Sequence, residues 1–206
     1  MKVLYNKDRG VVPEFGGSPP LINVPIVIYV NNFNEKTAKE FVEKISQAHN
    51  TGQTVIPVVI DSFGGHVHSL IVMMSSIDQS SLPVSTIAIG KAMSCGAILL
   101  GYGDIGYRYS SKDSRIMLHD GSATAWGKVE DMKITVKETE NLMKDVFKKL
   151  SNKCGYKDNH FLKMMEEKKH LDFYMKSNHA KKLKLIDHVG VPDLHVNVSL
   201  NMELKF

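Results

Sequence analysis

Cysteine is nearly absent from this sequence. Cys95 and Cys154 are the only two in 206 residues. They make neither a disulfide framework nor a zinc-ligand spacing, and a reducing compartment is the expectation. Long apolar runs are also missing. No stretch reaches the roughly 20 residues needed to cross a bilayer. The N-terminus has no apolar core of signal-peptide length. The chain is therefore read as soluble and cytoplasmic, with no membrane partner. Charge of one sign is scarce as well: 26 Lys and Arg against 22 Asp and Glu leave +4. Lys144, Lys148, Lys149, Lys181, Lys182 and Lys184 are spread over expected helix surfaces, which suits solvated faces better than a nucleic-acid groove. No internal repeat is present. Apolar content of 43% excludes a disordered chain, and the length suits one domain, with at most an appendage.

What is present is an alternation of strands and helices. Residues 1–23 contain V-V-P-E-F-G-G-S-P-P and read as an irregular N-terminal arm. Val24–Val30 reads as a strand, and Asn34 caps a helix with Ala38, Phe41, Val42, Ile45 and Ala48 on its apolar face. Val55–Ile60 is a second strand, continuous enough to be covered on both faces, although Pro57 inside it is out of keeping. D-S-F-G-G-H-V-H then opens a helix buried through Val67, Leu70, Ile71, Met74 and Ile77. A strand over Val84–Ile89 follows, then a helix near Ser94, and an apolar run Ile116–Leu118 ending in His119. A long, charged helix is expected over Lys128–Leu150, its stripe formed by Val129, Met132, Val136, Leu142, Val146 and Leu150. Further helices are expected over Asp158–Lys168 and from a Ser177 cap to Ile186. The alternating tail segment His195–Leu204 reads as a strand. The order β-α-β-α-β-α implies an α/β fold with right-handed crossovers.

The chemistry concentrates between Ile87 and His119. Ser94 stands where a buried strand hands over to a buried helix. By default such a serine is an N-cap. It becomes a nucleophile only if a base, an orienting acid and oxyanion donors join it. His119, at the end of an apolar strand, is a candidate base. Asp172, set among apolar residues in H-L-D-F-Y-M, is a candidate partner for that histidine. Gly64 and Gly65 form either a plain strand-to-helix turn or a close approach for a backbone oxyanion donor. Cys95 competes with Ser94 for the nucleophile's place, and periodicity alone does not separate them. Gly101, Gly103 and Gly106 spell G-x-G-x-x-G, but after a helix rather than a strand, which argues against a dinucleotide site. His66 and His68 would diverge on a helix and have no ligand cluster beside them.

Taken in order, D-S-F-G-G, G-K-A-M-S-C-G-A-I-L-L, S-R-I-M-L-H and L-D-F-Y-M-K-S-N-H-A-K-K-L-K-L-I-D resemble the proteolytic subunit of the ATP-dependent Clp protease, from about Ile26 to Val189. The resemblance implies a crotonase-like stack of ββα units with a projecting handle helix, about residues 120–150. Residues 24–190 would be the peptidase domain and 191–206 a C-terminal tail. It puts Ser94 on the family's nucleophile, so settling Ser94 over Cys95, with His119 on its base and Asp172 on its orienting acid. The backbone N–H groups of Gly64 or Gly65 and of Cys95 fall on its oxyanion hole. It further implies a serine endopeptidase acting on unfolded polypeptides inside a homo-oligomer of two stacked seven-membered rings, a tetradecamer. An Hsp100-type ATPase unfoldase would dock on the rings. No Walker A motif occurs, so no cofactor is expected in this chain and ATP would belong to that partner.

The sequence departs from the family at a few places. Gly121 stands where the family usually has proline, which is expected to loosen the following loop and weaken ring pairing. Trp126 sits in the segment that in the family binds peptide. The N-terminal arm and the C-terminal tail match nothing obvious. Two alternatives share the fold: a crotonase-type acyl-CoA enzyme, and a non-catalytic ring subunit working beside an active paralogue. Neither calls for Ser94, His119 and Asp172 together.

Overall fold

The computed structural model describes residues 3–6, 10–13, 24–121 and 128–195. The first two segments, β1 (Val3–Asn6) and β2 (Gly10–Pro13), pair antiparallel from Val3↔Pro13 to Asn6↔Gly10. The arm expected to be irregular thus contains two paired strands.

The main sheet begins with β3 (Ile28–Val30), shorter than the strand expected over Val24–Val30. Its ladder with β4 (Ile56–Ser62) starts only at Ile28↔Val58. Pro57 explains the limit. Ile56 N–H bonds Pro83 C=O beside β5 (Val84–Met93). By alternation, Pro57, which has no N–H, faces the β3 side one step before that ladder begins. The gap is bridged by a side chain. The Gln53 amide accepts from Ile26 N–H at 2.8 Å and donates to Ile26 C=O at 3.2 Å, standing in for a strand neighbour.

Between β3 and β4 lies α1 (Glu35–Ala48), closed by a capping box. Thr37 N–H donates to Asn34 Oδ1 at 2.9 Å, and Asn34 N–H to Thr37 Oγ1 at 3.0 Å. Ala38, Phe41, Ile45 and Ala48 are buried as expected, while Val42 is exposed. α2 (Val67–Asp78) buries Leu70, Met74 and Ile77 together with Ser69 and Met73.

β5 organises the sheet. Its first half pairs with β6 (Arg108–Ser110) through Thr86–Ala88. Its second half pairs with β7 (Arg115–Leu118) through Lys91–Met93. The pairs that β3, β4, β5, β6 and β7 make with one another are all parallel. The change of partner coincides with a register shift in the β4–β5 ladder, where the partners pass from Ile60↔Ala88 to Ser62↔Ala92. At the bend, Asp61 accepts from Lys91 N–H and pairs with Lys91 Nζ at 2.8 Å. Antiparallel β8 (Phe173–Lys176) extends β7, and β9 (His188–Val189) extends β6.

α3 (Cys95–Tyr102) runs through the centre with every residue buried. A helix apolar all round requires such a place. The G-x-G-x-x-G glycines serve packing. A Cβ on Gly101 would lie 2.8 Å from Leu150 and Leu185, and one on Gly103 would lie 2.3 Å from Thr86; Gly106 takes a turn at φ 89°. α3 is tied at its far end by buried Arg108, which donates to Gly101 C=O and grips Asp187 with two further N–H groups at 2.6 and 2.9 Å. Burial opposes the charge on Asp187, but the Arg108 guanidinium and backbone N–H groups still hold its carboxyl below the ordinary 3.8.

α4 (Val129–Lys153) packs through Val146, Phe147 and Leu150, while Val129, Ile134 and Val136 in its first half are exposed. α5 (His160–Glu167) lies against its packed end. α6 (Ser177–Lys182) is not capped by Ser177, contrary to expectation. That side chain is buried and bonds Ser111 C=O and Ser110 Oγ instead. Trp126 and the expected tail strand lie outside the described residues. Among those described, no helix is long and apolar enough to cross a membrane. The architecture is the mixed α/β, mostly parallel one that the resemblance implies.

Candidate active site

Three adjacent strands deliver the candidate residues. Ser94 follows Met93, the last residue of β5. His119 follows Leu118, the last residue of β7. Asp172 precedes Phe173, the first residue of β8. Because β5 and β7 are parallel with Met93↔Met117, and β7 and β8 are antiparallel with Leu118↔Phe173, all three arrive at one edge of the sheet. Register alone therefore brings together residues far apart in sequence.

Ser94 does not act as a cap. It precedes α3, but its side chain makes no capping bond, and its backbone is held at φ 53°, ψ −123°, a region side-chain-bearing residues rarely enter. That turn points Oγ at His119 Nε2, 2.7 Å away. For the hydroxyl to donate there, Nε2 must be the unprotonated nitrogen, which leaves the ring proton on Nδ1. Nδ1 faces Asp172 Oδ1 at 3.6 Å, beyond hydrogen-bond length. Asp172, although set between apolar residues in the sequence, is not buried: its side chain is half exposed.

Cys95 is turned away from the histidine. Its thiol is buried, bonds Gly65 C=O at 3.3 Å, and burial pushes its pKa up. A buried, protonated thiol is a poor nucleophile. The two alternatives left open by periodicity are thus separated by direction.

Both glycines are close approaches. A Cβ on Gly64 would lie 2.7 Å from Ser94 Cβ, and one on Gly65 would lie 2.5 Å from Phe33 C=O. Both also have positive φ, 110° and 150°. Gly64 N–H is already taken by Ser62 Oγ at 3.0 Å. Gly65 N–H has no side-chain acceptor among the described residues. At the start of α3, Ala97 N–H and Ile98 N–H return to Ser94 C=O at 3.0 and 3.2 Å, so the unbonded leading N–H groups are those before Ala97, beginning at Cys95. Ser62 was not singled out from sequence; its two-residue offset from Gly64 is the spacing of a serine-bonded turn, which was the available signal.

His66 and His68 are exposed, and no group of metal-holding side chains occurs among the described residues. Gly121 also has a packing reason: a Cβ there would lie 2.6 Å from Met143 Cγ of α4.

An edge of a mostly parallel sheet carrying Ser94 Oγ on His119 Nε2, with Asp172 across the ring, is a serine–histidine–aspartate arrangement. The Clp protease family model matches residues 19–193. A curated relative from Deinococcus radiodurans, an ATP-dependent Clp protease proteolytic subunit, is 35% identical over 137 residues, 65% of this chain and 64% of that protein. The match therefore spans a little under two thirds of that relative's length. This chain belongs to the Clp protease family.

Proposed function

We propose that this chain is a serine-type endopeptidase of the Clp kind, with Ser94 as nucleophile, His119 as base and Asp172 as orienting acid. One observation carries the reading: Ser94 is held at a strained strand-to-helix turn, makes no cap, and lies 2.7 Å from His119 Nε2. Ser94 Oγ attacks a peptide carbonyl while His119 Nε2 takes its proton. The carbonyl π electrons move onto oxygen, and the oxyanion accepts from Gly65 and Cys95 N–H. On collapse the C–N bond breaks, and His119 returns the proton to the leaving amine. Water then repeats the sequence on the ester, freeing the acid and Ser94. Asp172 steadies the imidazolium in each half.

Apart from the water that hydrolyses the ester, the chain's own groups carry every proton transfer in this scheme, and ATP would be used by a partner. Unfolded polypeptides, delivered by an ATP-dependent Clp unfoldase, are the proposed substrates. The proposed working form is a pair of stacked seven-membered rings. The apolar residues left exposed on the first half of α4 favour assembly, since burial of Val129, Ile134 and Val136 removes them from water. Two free, buried thiols suit the cytoplasm.

A fluorophosphonate probe tests the reading. It should attach to the peptide carrying Ser94 and abolish hydrolysis of short peptides. An unlabelled Ser94, or an adduct on Cys95, would overturn it.

A further inference from the structure

A second histidine–aspartate pair lies beside the first. His119 and Asp120 follow β7, while His170 and Asp172 lead into β8. The β7–β8 ladder ends at Leu118↔Phe173. Past that rung the segments face each other through side chains: His119 Nδ1 toward Asp172 at 3.6 Å, and His170 Nδ1 in a close hydrogen bond to Asp120 Oδ2. Each segment gives one histidine and one carboxylate, so the two rungs are crossed. A carboxylate only accepts, so His170 Nδ1 carries the proton in this bond.

The backbone beneath His170 is strained. α5 ends in a Schellman arrangement, with His170 N–H returning to Met165 C=O at 3.0 Å and Lys169 N–H to Glu166 C=O at 2.9 Å. Glycine is the usual occupant of the left-handed position in that motif. Here Lys169 holds it at φ 55°, and His170 is left-handed too, at φ 59°. Consecutive side-chain-bearing residues in this region persist only where the surroundings over-determine them. The Asp120 carboxylate is the hold on the second. Leu171 and Asp172 come next, so the turn that Asp120 pins is the turn that delivers the acid. Among the described residues Asp172 has no hydrogen-bond partner of its own.

We propose that Asp120 and His170 are a positioning pair, clamping the base's segment to the acid's segment so that Asp172 closes onto His119 Nδ1 during turnover. This rests on the serine-hydrolase reading of Ser94 and His119. The pair acts only through the geometry of His119 and Asp172. Without it the strained turn relaxes and the half-exposed acid swings away from the ring.

The test uses the full chain carrying Asp120→Ala, His170→Ala, both together, or His170→Asn. Asparagine tolerates the left-handed backbone and keeps an N–H donor. Three quantities are read: kcat and KM on a short fluorogenic peptide, the rate of fluorophosphonate attachment at Ser94, and particle mass by light scattering. Each alanine variant should lower kcat by about tenfold to a hundredfold, the cost of misplacing a reacting group by about an ångström. KM and mass should stay near the parent's, and labelling should slow in step. The double variant should lose no more than either single one, and His170→Asn should keep most of the activity. Additive losses, unchanged kcat, His170→Asn falling as far as His170→Ala, or a loss that follows a fall in mass would each overturn the clamp. A parent chain that the probe leaves unlabelled at Ser94 would sink the hydrolase reading and the clamp with it. A labelled parent with equally fast variants would sink the clamp alone.

Discussion

Ser94 and Asp172 face the two nitrogens of one imidazole, yet the fold holds them in opposite ways. On the Ser94 side stand a central strand, a helix buried at every residue and a glycine with no room for a Cβ, and the contact is 2.7 Å. On the Asp172 side stand a half-exposed carboxylate, a turn with two left-handed side-chain-bearing residues, and a gap of 3.6 Å. Core packing fixes the first side, because the backbone cannot move without opening voids around α3. Few buried contacts hold the second, which puts it at the readily opened end of the structure. On the proposed reading, a site built this way has a permanent nucleophile and an adjustable acid. Alignment of the acid is then the step that neighbouring segments or assembly can govern.

The largest effect should come from breaking the firm side at its reacting atom. Ser94→Ala should lower hydrolysis of short peptides by about five to six powers of ten. Thermal unfolding should change little, because the serine hydroxyl makes no structural cap. Residual turnover within tenfold of the parent would remove Ser94 from the nucleophile's role.

Next in size is an attack on the firm side from behind. Arg108 anchors the far end of α3 and pairs with Asp187 in the interior. Arg108→Ala removes the cation and leaves the carboxylate only backbone N–H groups, and should cost about 3–5 kcal/mol in urea unfolding. The parent's pH dependence has a definite sign. Asp187 is held below 3.8 in the folded chain, so the unfolded chain takes up this proton first. The pair's contribution is complete above that unfolded value and is lost as pH falls through the lower folded one. The variant should lack this acid-side loss. Equal slopes for parent and variant below about pH 4, where free aspartate titrates, would show that Asp187 draws its stabilisation elsewhere.

The same division separates what was legible in the sequence from what was not. β5, α3 and the position of Ser94 could be read because an apolar run, a polar break and a second apolar run are local signals. The Asn34 cap was legible for the same reason, its partner Thr37 being three residues away. What joins Ser94 to His119 and Asp172 is strand register, and register is a long-range pairing that no local periodicity encodes. The resemblance to a family supplied those three names together, but not their spacing. It gave no hint that Asp172 would be half exposed or Gly64 N–H occupied by Ser62. Ser177 was misread as a cap because a serine before a helix has the same local pattern whether it bonds its own helix or, as here, Ser110 and Ser111 across the sheet. Gly121 looked like a source of looseness from sequence. In the fold its missing Cβ makes room for Met143 of a helix that begins several residues later.

The smallest effects should come from the adjustable side, and they sharpen the comparison most. Asp172→Asn removes the charge that favours the imidazolium and permits the wrong tautomer. A well-aligned acid lost in this way costs about four powers of ten. Here the parent starts from a gap of 3.6 Å, so the loss in kcat should be nearer a hundredfold. Asp172→Glu should cost no more than about tenfold, since it changes orientation and not the chemistry offered to His119. The added methylene can reach across the gap, and a half-exposed side chain has solvent rather than core to expand into. Both variants should label at Ser94 with the fluorophosphonate, more slowly than the parent and in the same order as their kcat values. If Asp172→Glu fell as far as Asp172→Asn, the acid would be specified as tightly as the nucleophile, and the contrast between the two sides of His119 would not hold.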